Sequence, residues 1–253
     1  MPAVIFDQYS RYYDLLYRDK DYAAEATFVD ELIRKHAPEA RSLLELGCGT
    51  GLHAAALAQR GYGLHGIDLS DEMLARAQRR KSGALSFARG DVRDLRLGRK
   101  FDGVISLFHV VSYQTVDADL RAVFATAREH LHEGGVFVFD CWYGPAVLAE
   151  RPSVRVKRME DEAIRVTRIA EPKMHADERI VDVGYQVFVE DRATKRVEQL
   201  TELHRMRYLF RPEIEALAEG AALRIVAACE WLTGKPLGEE TWSACFVARA
   251  SRK

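Results

Sequence analysis

A chain of 253 residues, 48% apolar and 30% charged, can build one generous α/β domain with an appendage and is too apolar for wholesale disorder. Its 37 lysines and arginines nearly balance 38 aspartates and glutamates, and a net charge of −1 argues against a global polyanion binder. The longest apolar stretch, residues 104–111, contains His109 and is far too short for a membrane span.

The first residues show neither the basic nor the apolar region of a secretory signal. Cys48, Cys141, Cys229 and Cys245 lie far apart without a CxxC pair, which points to a reduced, cytoplasmic protein with no structural metal. In chain order, residues 21–36 read as an amphipathic helix with Ala24, Phe28, Leu32 and Ile33 on its apolar stripe, stopped by Pro38. A strand at 42–46 leads to a helix at 50–60 closed by Gly61, then a strand at 63–69. Ser70, Asp71 and Glu72 cap and charge a helix reaching Arg80. Strands follow at 84–88 and 104–110, a helix at 117–131, and Gly134-Gly135 leads into a strand at 136–140. Strands alternating with helices imply βαβ units and a parallel sheet.

From 154 to 209 the period changes to two, clearest in Val181, Val183, Tyr185, Val187 and Val189, with breaks at Glu171-Pro172 and Asp191-Arg192. This predicts an antiparallel β-meander. Pro212 opens a helix at 213–219, and strands at 223–229 and 242–248 return to the main sheet. The expected division is a helical lid (1–40), a Rossmann-like domain (41–150), a β subdomain (151–210) and a C-terminal completion of the sheet (211–253).

The strongest local signal is Leu43-Leu44-Glu45-Leu46-Gly47-Cys48-Gly49-Thr50-Gly51, an apolar strand running into three alternate glycines and a helix. Such glycines allow a tight turn and close approach of a ligand to the backbone. Leu52 breaks the dinucleotide pattern G-x-G-x-x-G at its last position. Asp68, at the end of the second strand, suits both hydroxyls of a ribose, and Met73 one turn later suits an adenine face. Asp91, after the third strand, can accept from an adenine amino group. The three features converge on one adenosine-shaped slot.

With those residues and Leu131-x-x-Gly134-Gly135, residues 40–142 resemble the class I S-adenosylmethionine (SAM) dependent methyltransferases. The resemblance implies a seven-stranded sheet with its last strand antiparallel and helices on both faces. It places Glu45, Gly47, Cys48, Gly49 and Gly51 around the methionine part, Asp68 and Leu69 at the ribose, and Asp91 and Val92 at the adenine. Leu107 and Phe108 would line the methionine and adenine side. A narrower resemblance is to bacterial deoxy-amino-sugar N-methyltransferases, carried by Tyr13-Asp14-Leu15-Leu16-Tyr17, Asp21-Tyr22-Ala23-Ala24-Glu25-Ala26, 93–101 and the meander. It implies a cofactor-side tyrosine at Tyr17 and an acceptor-side residue at Tyr113. Those enzymes carry an arginine before the last strand that holds a pyrophosphate; here Gly238-Glu239-Glu240-Thr241-Trp242 places acids there, against a nucleotide-linked substrate.

Five of ten tyrosines fall in the first 22 residues, and Tyr9, Tyr13 and Tyr17 share a helix face as a candidate aromatic lid. Alternation puts Glu202, His204, Met206 and Tyr208 on one face of a strand. Tyr113, His109 and His204 are the candidate bases. Residues 76–100 carry nine basic and two acidic side chains, but lack the interleaved aromatics of a single-strand RNA reader. The expected function is methyl transfer from SAM to a small molecule, best the amine of a deoxy-amino sugar, free or nucleotide-linked, without metal. The alternatives are a sugar hydroxyl acceptor, a nicotinamide-dependent oxidoreductase and an RNA-binding module. The expected partners exclude membrane and nucleic acid and leave room for a homodimer.

Overall fold

Short apolar strands separated by helices pair in parallel, because each crossover returns the chain to the same end of the sheet. The computed structural model, which describes residues 10–251, builds β1 (Ser42–Leu46), β2 (Gly63–Asp68), β3 (Leu85–Arg89), β4 (Phe101–Ser106) and β5 (Leu131–Tyr143) in this way. Their spatial order is β3-β2-β1-β4-β5, all parallel. The meander follows as β6 (Arg155–Glu160), β7 (Ile164–His175), β8 (Ile180–Asp191) and β9 (Val197–Leu209), each antiparallel to the next. β10 (Leu223–Glu230) and β11 (Ser243–Ala250) then complete the main sheet, with β11 antiparallel to both β5 and β10. The seven-stranded sheet with an antiparallel last strand is therefore present.

The meander is joined to that sheet edge-on. The end of β5 pairs in parallel with the end of β9, Trp142 beside Tyr208 and Tyr143 beside Leu209. Arg207 of β9, 3% exposed, pins the junction by pairing with Asp117 at 2.7 Å and with Glu213. Both partners belong to helices of the main domain, α5 (Asp117–Glu129) and α7 (Arg211–Gly220), the fifth and seventh of the chain.

Two cores cover the two sheet faces. One is aromatic: Phe124 of α5 stands edge-on to Phe139, centroids 5.2 Å apart, and Phe139 stacks on Phe246 at 5.6 Å. The other seats Ala26, Val29 and Ile33 of α2 (Tyr22–His36) against Leu43, Val136 and Val138. Each fully buried side chain of this size contributes about 1.5–3 kcal/mol. α2 is thus built into the sheet layer. α1 (Ser10–Leu16) instead packs against β6 and α4 (Asp71–Ala77), where Tyr12, Tyr13 and Leu16 join a core with residues of the meander.

Three expectations need correction. In α2 the expected Ala24 is exposed and the buried stripe is Glu25, Ala26, Val29 and Ile33, with the expected Phe28 and Leu32 packed partly buried along its edge and Phe28 leaning on Trp231. The strand expected at 104–110 starts at Phe101 and ends at Ser106, since Phe108 and His109 both adopt φ 65 and turn the chain away. The break expected at Glu171-Pro172 lies at Ala176–Glu178 instead; Pro172 continues β7 opposite Val183. Among the described residues no helix is long and apolar enough to cross a membrane.

Candidate active site

The carboxyl ends of β1 to β4 converge on one cavity of about 410 Å³. At its floor, Gly47, Gly49 and Gly51 hold φ of 77, 53 and 77, values that L side chains avoid. A Cβ on Gly47 would lie 2.7 Å from a Val110 methyl, so this glycine serves packing. A Cβ on Gly49 would meet nothing within 4 Å, and that open space faces the cavity. Gly51 caps α3 (Leu52–Ala58) and its missing Cβ makes room for Phe87, away from the cavity.

Asp68 is locked by backbone donors on both sides: Gly49 N–H to Oδ2 at 2.8 Å and Ser70 N–H to Oδ1 at 2.9 Å. Burial raises its pKa, against the pull of those donors. Ser70 Oγ accepts from Met73 N–H at 3.2 Å, which starts α4 and presents Met73, 2% exposed, to the same cavity. Cys48 and Leu69 line it as well, Cys48 with a thiol pushed up by burial.

At the far wall, Asp91 receives Arg93 through its backbone N–H (2.9 Å) and its guanidinium (2.6 Å at the closest), and Arg93 continues to Asp119 at 3.0 Å. The guanidinium holds the Asp91 carboxyl below the usual range. Val92, Leu107, Phe108 and Tyr113 close this side. A larger hollow, about 610 Å³, opens at the opposite strand ends around His36, Asp102 and Gly134 and contains none of the expected site residues.

Five expected residues stand behind the cavity wall. Glu45 is 1% exposed, its Oε2 finds no hydrogen-bond partner among the described residues, and burial followed by the charge of Asp68 pushes its carboxyl up to about 8. Gly51 has been placed above. Tyr17 stands edge-on to Phe108 at 5.1 Å and its hydroxyl accepts from Arg168 of β7 at 2.8 Å. His109 places Nδ1 2.7 Å from Asp140 Oδ2, and its backbone N–H reaches Oδ1 at 3.0 Å. Burial alone would raise the Asp140 carboxyl, but the facing His109 imidazole and N–H hold it below the usual range. His204, 1% exposed, lies behind Tyr113 with Nδ1 2.8 Å from the phenol oxygen and Nε2 3.1 Å from Glu202 Oε2. Tyr9 lies outside the described residues.

The sequence reading missed several groups. Asp14 of α1 accepts from Thr50 Oγ1 at 2.9 Å, tying that helix to the glycine turn. His53, on the cavity wall, bonds Glu25 at 2.6 Å, and Lys20 closes on the same carboxylate. A buried glutamate on the inward face of α2 was the available signal, since such a residue needs a partner. Arg168 gave no signal, because single arginines in polar stretches are ordinary, and the role of Arg93 beside Asp91 was not visible although residues 93–101 carried the family resemblance.

A methyltransferase-domain family model matches residues 43–135. Across 229 residues the chain is 36% identical to a dTDP-3-amino-3,4,6-trideoxy-alpha-D-glucopyranose N,N-dimethyltransferase of Streptomyces venezuelae, covering 89% of this chain and 92% of that protein. The chain belongs to the class I SAM-dependent methyltransferases. The crystal structure of DesVI from Streptomyces venezuelae superposes on this methyltransferase with TM-score 0.81 at 31% identity, covering 96% and 98% of the two chains. SAM-bound CalS10, an amino pentose methyltransferase from Micromonospora echinaspora, gives 0.78 at 30% identity, covering 99% and 100%. The oxidoreductase and RNA-binding alternatives fall away, and SAM is the cofactor. The cavity suits it: the volume falls in the range of small-molecule sites, an open glycine cradle adjoins a fixed carboxylate, and the Met73 thioether lines the same space.

Proposed function

We propose that this methyltransferase methylates the amine of a deoxy-amino sugar. The reading is carried by one observation: Asp68 and Tyr113 line the same cavity, so cofactor-side and acceptor-side groups share one enclosed space. The likeness to the dTDP-amino-sugar N,N-dimethyltransferase runs through the meander as well as the sheet domain, which supports a sugar acceptor.

SAM brings a methyl group on a cationic sulfur; as the amine nitrogen displaces it, an N–C bond forms, an S–C bond breaks and S-adenosylhomocysteine is left. The chain's own task is then to align and to exclude water, and positioning can be worth about 7–11 kcal/mol. In this reading Asp68 takes the ribose hydroxyls, Asp91 and Val92 the adenine, and Gly49 lets the amino-acid end lie close to the backbone, in a turn that Gly47 packs against Val110. Tyr13 and Phe108 give the cavity an aromatic wall, backed by the Tyr17 ring 4.7 Å from Tyr13 and 5.1 Å from Phe108, suited to a sulfonium and to shedding water. His109, held by Asp140, fixes the left-handed turn that brings Phe108 to the cavity. The four free cysteines suit a reducing compartment such as the cytoplasm.

Incubation with isotopically labelled SAM and free or nucleotide-linked amino sugars tests the proposal by mass spectrometry. Label on the sugar nitrogen is expected. Transfer only to a hydroxyl, or to none of these acceptors, contradicts it.

A further inference from the structure

From the cavity wall a chain of three polar side chains runs into the meander. Tyr113 sits on the short helical turn Val110–Tyr113 that follows the left-handed pair, and its ring lines the cavity. Its hydroxyl oxygen is 2.8 Å from Nδ1 of His204 on β9, a residue 91 positions away. His204 is 1% exposed, and its Nε2 lies 3.1 Å from Glu202 Oε2, whose side chain is 14% exposed. With a carboxylate at Nε2, that nitrogen carries the hydrogen, which leaves Nδ1 as the acceptor facing the phenol. Tyrosine, histidine and glutamate then form a directed path from the cavity into the meander.

Resting on the amino-sugar reading, we propose that Tyr113, His204 and Glu202 form a proton relay that takes a proton from the acceptor ammonium. An alkylamine is protonated near neutral pH and has no lone pair to donate until a proton leaves. In the relay, one N–H bond of the ammonium breaks and its proton passes to the Tyr113 oxygen. The phenol's own proton moves to His204 Nδ1. The acceptor becomes a neutral amine, the phenol is restored and His204 becomes an imidazolium facing the Glu202 carboxylate. Charge is conserved, and no oxidant or metal enters. Tyr113 is the residue that meets the acceptor; His204 and Glu202 act through it.

The groups around His204 fit this path. On its own strand Glu202 faces Nε2. From β8, the Tyr185 ring lies 4.4 Å away, tilted by 44°. Arg168 of β7 covers the Tyr185 ring at 4.8 Å and gives a hydrogen bond to Tyr17, so its charge is directed to that tyrosine pair. Opposite His204 on β8 is Val183, which contributes no charge.

The test is the pH profile of kcat/KM for the amino-sugar acceptor at saturating SAM, for wild type, Tyr113→Phe, His204→Gln and Glu202→Gln. At about pH 7 the first two variants should lose about 100-fold, within the range of general acid–base catalysis, and Glu202→Gln about tenfold. All three should approach within about threefold of wild type near pH 10, where solvent already supplies neutral amine. Affinity for SAM should stay within about twofold of wild type, which separates the relay from misfolding of a buried histidine variant. A loss that stays constant across pH, or no loss, overturns the relay while wild-type turnover upholds the amino-sugar reading. No turnover by wild type at any pH overturns both.

Discussion

The two halves of the cavity are built in different ways. On the side proposed for the cofactor, Asp68, Met73 and Asp91 come from the ends of parallel strands or the helix that follows, and most of their bonds span two or three residues: Asp68 with Ser70, Ser70 with Met73, Asp91 with Arg93. On the side proposed for the acceptor, Tyr113 meets His204 only through tertiary structure, and Tyr17, expected beside the cofactor, is likewise held from the meander by Arg168. One half is a property of the sheet's topology, which places ligands at strand ends. The other depends on how the meander docks on the end of β5, so it can diverge while the cofactor half is kept.

The contrast is broken most easily at the glycine turn. Gly49→Ala places a methyl in open cavity space and should weaken SAM binding about tenfold, with a melting temperature lowered by only a few degrees for the left-handed strain. Gly47→Ala drives its methyl into Val110 and should cost stability first. Calorimetric titration and thermal melts on both variants check this; equal loss of affinity from the two contradicts the division of roles.

A smaller effect is expected at the aromatic wall. Tyr17→Phe removes one hydrogen bond to Arg168, worth about 1 kcal/mol, and keeps the ring against Phe108. The acceptor KM should rise about fivefold, with SAM affinity within about twofold. A matching rise in the SAM dissociation constant would move Tyr17 to the cofactor half.

The smallest effect concerns Glu45. Its pKa is raised from 4.5 to about 8 in the folded chain, by burial and then by Asp68. Between those values the folded state holds more protons than the unfolded one, so the stability associated with the neutral carboxyl is lost as pH rises through about 8. Glu45→Gln does not titrate there, and its melting temperature relative to wild type should climb by a few degrees between about pH 5 and pH 9. A pH-independent difference would mean that Glu45 is ionised in the fold.

The same contrast explains what could be read from the sequence. Strand ends followed by Gly47-Cys48-Gly49, Asp68 and Asp91 are local patterns, and the spacing alone brought them to one slot. The stripe of α2 was misjudged because Glu25 is buried through pairing with His53 and Lys20, an exchange that hydrophobic periodicity does not register. The end of β4 was misjudged because Phe108 and His109 turn the chain without a glycine, held by Asp140 from another strand. The Glu202 and His204 alternation was visible, but Tyr113 as the group that completes it was not, since 91 residues separate them.

The central claim is that SAM recognition belongs to the strand-end half alone. Titrating SAM into Asp68→Ala and His204→Gln, with both variants folded by their melting curves, tests it most directly. The account predicts a loss of at least about tenfold for Asp68→Ala, whose carboxylate hydrogen bonds are worth about 1.5–3 kcal/mol, and less than about twofold for His204→Gln. An Asp68→Ala affinity within about threefold of wild type would contradict it.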